Sequence, residues 1–288
     1  MYLNGIRKFC VVFLFSMASF AAEKNACIEN MHAINNNILA MNHCQLRSEH
    51  MPAVILLVKQ HPEIDTIELI DNLIDDDGIK QLSELQQINR IFLKENLIHD
   101  AGAIAISKMP QLIDIHLARN YIGDQGAKAL AKMHLEILDL SENLIRDEGA
   151  VALSKNYYLE ILNLSRNHIS NKGATAFVNS TIDIIKLNGN DIDDEGAIAL
   201  AKNNYASQLY LSDNQISNKG AAAFAPNVTI QYLALANNHI GDEGAIYLSK
   251  NQTFTHVMLS YNEIGHAGIE ALKANKFFSV LDVEYNPK

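Results

Sequence analysis

With 288 residues, 48% of them hydrophobic, the chain can bury a sizeable core, and it must build that core from Leu, Ile and Ala, because only 7% is aromatic and Trp is absent. A formal net charge of −10 with no basic block excludes nucleic acid and anionic membrane surfaces as first-choice partners. Three cysteines, with no Cys/His spacing of the metal-binding kind, exclude a zinc framework and give no reason to expect a cofactor.

At the N-terminus, Arg7 and Lys8 precede an apolar run from Phe9 to Phe20, and Ser19 and Ala21 supply the small residues a signal peptidase reads. Residues 1–21 are expected to be a cleaved export signal, leaving a secreted, periplasmic or cell-surface protein. A membrane anchor would need about 20 apolar residues, and this shorter run ends at Ala22-Glu23-Lys24, so the mature chain is expected to have none. Loss of Arg7 and Lys8 moves the charge from −10 to −12. Cys10 leaves with the signal. The remaining Cys27 and Cys44 read as one disulfide stapling an N-terminal cap, with two unpaired buried thiols as the alternative.

Residues 22–62 are expected to form that cap with a degenerate first coil. Cys44-Gln45-Leu46 reads as a short strand, and Pro52 to Lys59 as a helix opening on Pro, where a missing amide donor costs nothing. Terminal coils are atypical because one side has no neighbour to bury against.

From residue 63 to 288 the chain repeats itself. A marker asparagine recurs at Asn72, Asn96, Asn120, Asn143, Asn167, Asn190, Asn214, Asn238, Asn262 and Asn286, always 23 or 24 residues apart, and a fixed period in that range means a solenoid. Before each Asn, two apolar residues flank a variable one, as in Leu138-Asp139-Leu140, which reads as a short strand with one face inward. Two residues after the Asn, in nine full coils, comes an Ile such as Ile145; six after it comes a Gly such as Gly149. Then follows a helical pattern such as Gly196 to Lys202, which the preceding Asp194 could cap. Asn156, Asn203, Asn251 and Asn275 close helices, where Asn tolerates the left-handed backbone.

Asn-x-Ile-x-Asp-x-Gly-Ala following Leu-x-Leu resembles the leucine-rich repeat superfamily, specifically its ribonuclease-inhibitor-like class. The resemblance implies an α/β solenoid: a curved parallel sheet on the concave face, helices on the convex face, and the marker Asn bonded to buried backbone. Coils of 23 to 24 residues are shorter than is usual in that class, so the helices should be short. The repeats carry no Cys, so ribonuclease inhibition does not carry over. Short coils behind an export signal are similar to repeat proteins of Gram-negative bacteria that live inside host cells.

The strand positions freed from the core are the expected functional surface. Four places before the Asn stand Phe92, His116, Asp139, Lys186, Tyr210 and Met258, among others; one place before stand Arg119, Arg166, Tyr261 and Tyr285. Early coils present mixed charge, and later coils present Tyr210, Tyr232, Met258, Tyr261 and Tyr285. Tyrosines among polar groups suit a protein interface, so the expected partner is a protein ligand, a host protein if the source is a pathogen. A structural or adhesive envelope protein is the alternative. Catalysis has one foothold, His116 beside Asp139 with Asp114, Ser141 and Ser165 nearby, but an open sheet supplies no water-excluding pocket, and no enzyme is expected. On the convex side, Glu148, Lys172, Glu195, Lys219 and Glu243 alternate in sign and are expected to set coil register. The last strand could pair end to end with another chain, and Phe277 and Phe278 are candidates to plug that end.

Overall fold

Alternation along each repeat yields strands only three residues long. In β6 (Ile137–Asp139), β7 (Ile161–Asn163), β8 (Ile184–Lys186) and β9 (Gln208–Tyr210) the middle residue is buried and its neighbours are half-buried. The computed structural model describes residues 34–35 and 37–287; the expected signal and Cys27 lie outside them. The other strands are β1 (Ile34–Asn35), β2 (Ile38–Ala40), β3 (Thr66–Glu68), β4 (Arg90–Phe92), β5 (Asp114–His116), β10 (Tyr232–Ala234), β11 (His256–Met258) and β12 (Val280–Asp282). All twelve form one sheet in sequence order. β1 pairs antiparallel with β2, and the β2–β12 pairings are parallel, in a register that sets Ile115 beside Leu138, Leu162 and Ile185 in turn. The strand expected at Cys44–Leu46 is displaced: β2 comes earlier, and Cys44 lies in the turn after it, at the place the marker Asn takes in later coils.

The return limb of each coil is helical: α1 (Met51–Gln60), α2 (Asp76–Leu82), α3 (Asp100–Ile106), α4 (Asp124–Leu130), α5 (Asp147–Leu153), α6 (Asn171–Thr175), α7 (Asp194–Leu200), α8 (Asn218–Ala223), α9 (Asp242–Leu248) and α10 (His266–Ala274). Most span seven residues, about two turns, too short to persist alone, so packing sustains them. The isoleucine after each marker Asn, Ile74 to Ile264, is fully buried between sheet and helices. In α6 the helix passes into a 3-10 turn around Phe177, and α8 is likewise short beside Phe224; both rings are fully buried where α5, α7 and α9 place Leu153, Leu200 and Leu248. At the end of the array Phe278 packs against the core, whereas Phe277 is exposed.

Three side-chain ladders tie coil to coil. From Asn72 to Asn262 the marker Asn side chains are buried: Asn143 Oδ1 accepts the Ile122 N–H of the preceding coil at 3.0 Å, and Nδ2 donates to Leu117 O of that coil at 2.9 Å and to Leu140 O of its own at 3.1 Å. The pattern runs from Asn96 to Asn286 and satisfies turn backbone that water cannot reach.

A second ladder runs the other way, from the residue four after the marker. Asp124 Oδ1 accepts Arg146 N–H at 2.9 Å and Gly149 N–H at 2.8 Å in the next coil. Asp194 therefore does not cap its own helix. The N-cap of α7 is Asp193, which accepts Glu195 N–H, while Asp194 accepts Ser217 N–H and Gly220 N–H at the start of α8. This crowding accounts for the recurring glycine: a Cβ at Gly149 would sit 2.7 Å from Asp124 Oδ1 and 2.8 Å from Ile145 Cγ2.

The third ladder joins helix ends. Asn203 Nδ2 donates to Phe177 O at 2.7 Å and Ser180 O at 3.0 Å, and its Oδ1 accepts Tyr205 N–H and Ala206 N–H at 2.8 Å. Asn156, Asn227, Asn251 and Asn275 act alike, and Gln87 and Gln111 reach back to carbonyls of the preceding coil in the early repeats. None of these asparagines is left-handed; Asn275 has φ −74°. They sit at helix ends for their amide bonds and not for their backbone freedom. Along the convex charge row, among the described residues no two of Glu148, Lys172, Glu195, Lys219 and Glu243 stand within ion-pair distance; the close contact there is Glu148 with Lys128 of the preceding coil at 2.6 Å, and Lys172 attracts Glu148 more weakly. The closer contact raises the Lys128 pKa and lowers that of Glu148.

Asn143→Ala should lower stability by about 2–4 kcal/mol in urea unfolding, because it leaves buried backbone donors and acceptors unpaired. For the second ladder, Asp124→Ala should cost about 1–2 kcal/mol and Asp124→Asn well under that, since Asn171 and Asn218 already do the same work with an amide. Gly149→Ala should cost about 1–3 kcal/mol. The control is Gly241→Ala, whose new Cβ would have no neighbour nearer than 3.5 Å and should unfold at nearly the wild-type denaturant concentration.

Candidate functional site

The first and third residues of each strand project from the open face of the sheet, away from the core. Phe92, His116, Asp139, Lys186, Tyr210 and Met258 all occupy third positions on β4, β5, β6, β8, β9 and β11, and all are half-buried; Tyr232 opens β10. Arg119, Arg166 and Tyr261 stand elsewhere. Each strand has ended before them, and they lie on the turn that leads to the marker Asn, with φ of 53°, 54° and 55°. The whole row from Asp71 to Tyr285 is left-handed there, with Gly only at Gly189. Such backbone costs a non-glycine residue about 1 kcal/mol, and here it is imposed because the chain must reverse to send the next side chain, the marker Asn, inward. These residues rim the open face and do not belong to its strands.

Near the N-terminal end, the Phe92 and His116 rings stack at 4.4 Å with 10° between planes. His116 Nε2 lies 2.9 Å from Asp114 Oδ1 and Nδ1 lies 4.0 Å from Asp139 Oδ2. Asp114 Oδ1 makes no hydrogen bond there, so the two groups are adjacent without being bonded. Asp139 Oδ1 accepts from Ser141 N–H and from Ser141 Oγ at 2.7 Å, so that hydroxyl serves the carboxylate and not His116. The group orients an imidazole on an open face; the enclosed nucleophile that acyl transfer needs is not part of it.

On the rim, Arg119 Nη1 meets Glu95 Oε1 at 2.7 Å and its Nε meets Glu142 Oε2 at 2.9 Å; Arg166 Nη1 stands 3.8 Å from Glu142. Glu142 and Glu95 together raise the Arg119 pKa.

In the middle of the face lies an apolar strip absent from the residues chosen by sequence. Ile137, Ile161 and Ile184 open β6, β7 and β8, are register neighbours, and are half-buried. Of this row, six places before each Asn, the sequence marks out only Asp114 and Tyr232; the signal that finds the rest is the same alternation carried two residues back from the fourth place.

Beyond the strip, Tyr210 stacks on Tyr232 at 4.7 Å, Tyr232 faces His256 at 5.7 Å, and Lys186 Nζ lies 5.3 Å from the Tyr210 ring centre. Tyr210 Oη donates to Gln208 Oε1 at 2.9 Å, and burial together with Tyr232 raises its pKa. Tyr261 and Tyr285 form a separate stack on the rim, 4.4 Å apart and 54% and 69% exposed. The later tyrosines are thus two groups on two surfaces. Among the described residues, no cluster of three or more His, Cys, Asp or Glu is arranged to hold a metal ion, and no helix is long and apolar enough to cross a membrane.

Comparison with known proteins agrees with this geometry. The leucine-rich repeat family model matches seven segments, residues 110–131, 132–154, 155–178, 178–201, 207–225, 227–249 and 250–273, more than half of the chain. Among solved structures, the chain is similar to an internalin from Listeria monocytogenes at 19% sequence identity and a TM-score of 0.51, over 87% of this chain and 81% of that one. No curated protein matches it in sequence. The matched segments hold most of the strands and turns of the face and rim, β5 to β11, and with their register and asparagine ladder they establish that the chain belongs to the leucine-rich repeat family.

Proposed function

We propose that this chain is an exported, non-catalytic binding module that holds a protein ligand on its concave face, a host protein if the source is a pathogen. Repeats of this family typically bind proteins. The observation that carries the reading is the face itself: the Ile137, Ile161 and Ile184 strip, flanked by the Phe92–His116 stack on one side and the Tyr210–Tyr232–His256 stack on the other. None of these side chains is needed by the core, which the alternate residues fill. Stacked aromatics around an apolar centre, with Asp114, Asp139 and Lys186 at the margins, have the composition of an interface anchor. Ten strands from β3 to β12 at about 4.8 Å give a face on the order of 45 Å long, room for a folded domain or an extended segment. Export rests on the charged and apolar pattern of residues 1–21, and a Cys27–Cys44 disulfide completes that reading.

Two experiments test it. In affinity capture from host and bacterial extracts, a Tyr210→Ala/Tyr232→Ala variant should lose a protein that the wild type retains, while a Tyr157→Ala/Tyr205→Ala variant, altered outside the sheet at two exposed tyrosines, should retain it. Equal retention by all three would remove the concave face as the site, and retention of a cell-surface polymer instead of a protein would favour the envelope reading. For export, the protein recovered outside the cytoplasm of a bacterial host should begin at Ala22 and carry no free thiol under non-reducing conditions. An intact Met1 or two titratable thiols would overturn that part.

A further inference from the structure

Two rows on the rim of the early coils run side by side. The left-handed turn positions carry Glu95, Arg119, Glu142 and Arg166, alternating in sign over four successive coils. Two residues further on, Leu97, Tyr121 and Leu144 are 37%, 47% and 48% exposed. The asparagine between each pair is buried, so both flanking side chains point outward. Towards the C-terminus the two patterns stop together, and on the other side Asp71 ends the alternation while Leu73, half-buried, precedes Leu97. The next coils carry Gly189, Asp213 and Asn237 in the first row and Asp191, Gln215 and His239 in the second.

A row of four alternating, evenly spaced charges is its own complement under a two-fold rotation. With the axis between the coils of Arg119 and Glu142, Glu95 faces Arg166 of a second copy and Arg119 faces Glu142 of that copy, and each pair recurs on the other side of the axis. The same rotation lays Tyr121 against Leu144 of the second copy at the centre and Leu97 beside its His168 at the edge. Asp71, which precedes Glu95 in the row and repeats its sign, faces the uncharged Gly189 of the second copy under the same rotation, so no like charges meet. We propose that this rim is a homodimer interface in which two copies meet side by side and antiparallel, with the apolar residues at the centre and the charge ladder fixing register.

The intramolecular pairs define what each part contributes. Arg119 already bridges Glu95 and Glu142 within one chain, so the second copy shares these charges and does not create new ones. They select the antiparallel register, and the apolar centre supplies the affinity. Four coils span only about 15 Å of rim, below the extent of a standard interface, so the dimer is weak and concentration-dependent. It differs from end-to-end pairing through β12, which would continue past two copies, and it leaves the concave face open.

Sedimentation equilibrium of the purified protein from about 10 µM to about 1 mM tests this, in the range where small interfaces associate. The wild type should fit a monomer–dimer equilibrium. Glu95→Arg and Arg166→Glu, each alone, should shift it at least tenfold towards monomer, because each sets like charges together twice. An equimolar mixture of the two single variants should dimerise again, as should the double variant. Tyr121→Ser should be monomeric. Circular dichroism melts of each variant confirm the fold, and since the mixture contains the same two chains, its recovery cannot come from refolding. A wild type that stays monomeric at the highest concentration, association that ignores both reversals, or a mixture that stays monomeric would overturn the proposal.

Discussion

The structure depends on one constraint: every coil makes sharp turns between sheet and helix, and the amides and carbonyls of those turns are buried. A sheet satisfies only the backbone of its strands, which here are three residues each. The rest is met by side-chain amides and carboxylates placed at fixed intervals, each bonded to a neighbouring coil. Leucine and isoleucine fill the volume, but a coil that filled it without these polar groups would leave several unpaired donors at each junction, at about 1–3 kcal/mol each. The repeat length follows from this need as much as from packing.

Because the ladders and the inward-facing residues carry the fold, the outward strand positions are released from it. Their content changes from coil to coil while the Asn, Ile and Gly positions do not. The aromatic stacks and the isoleucine strip stand on that released surface, held by a rigid sheet below. The rim differs in kind: its side chains are also outward, but its backbone is held left-handed, which fixes their direction more tightly than a strand would.

Much of this was legible in the sequence because the signals repeat. The marker Asn, the buried Ile and the alternating pair each recur in every full coil, so period and polarity identified the sheet, the helices and the inward pair of each coil. Misreadings arose where a residue acts on a coil other than its own. Asp194 looks like a cap for the helix that follows it, and only the stacking distance brings it to Gly220 instead. Asn203 and Asn251 suggest a left-handed helix end, yet their partners are carbonyls about a coil away in sequence. Arg119 and Tyr261 stand three residues past an outward strand residue, so alternation alone would turn them inward; the strand has ended by then, and the left-handed turn brings them out. Periodicity places Phe92, His116 and Tyr210 on the open face, while Ile137, Ile161 and Ile184 go unnamed because an aliphatic side chain six places before the Asn gives no chemical signal of its own, as Tyr232 in the same row does.

The marker Asn ladder reaches back to the preceding coil, and the Asp ladder reaches forward to the next. Every junction is therefore bonded from both sides by parts that recur from coil to coil, so excising or duplicating whole coils rejoins matching donors and acceptors, whereas a change of a few residues matches nothing. Arrays of this design can change length only in whole-coil steps. Each step leaves the ladders intact while it slides one stretch of the outer surface past another, so new neighbours on the open face arise by recombination of coils without a search through folds.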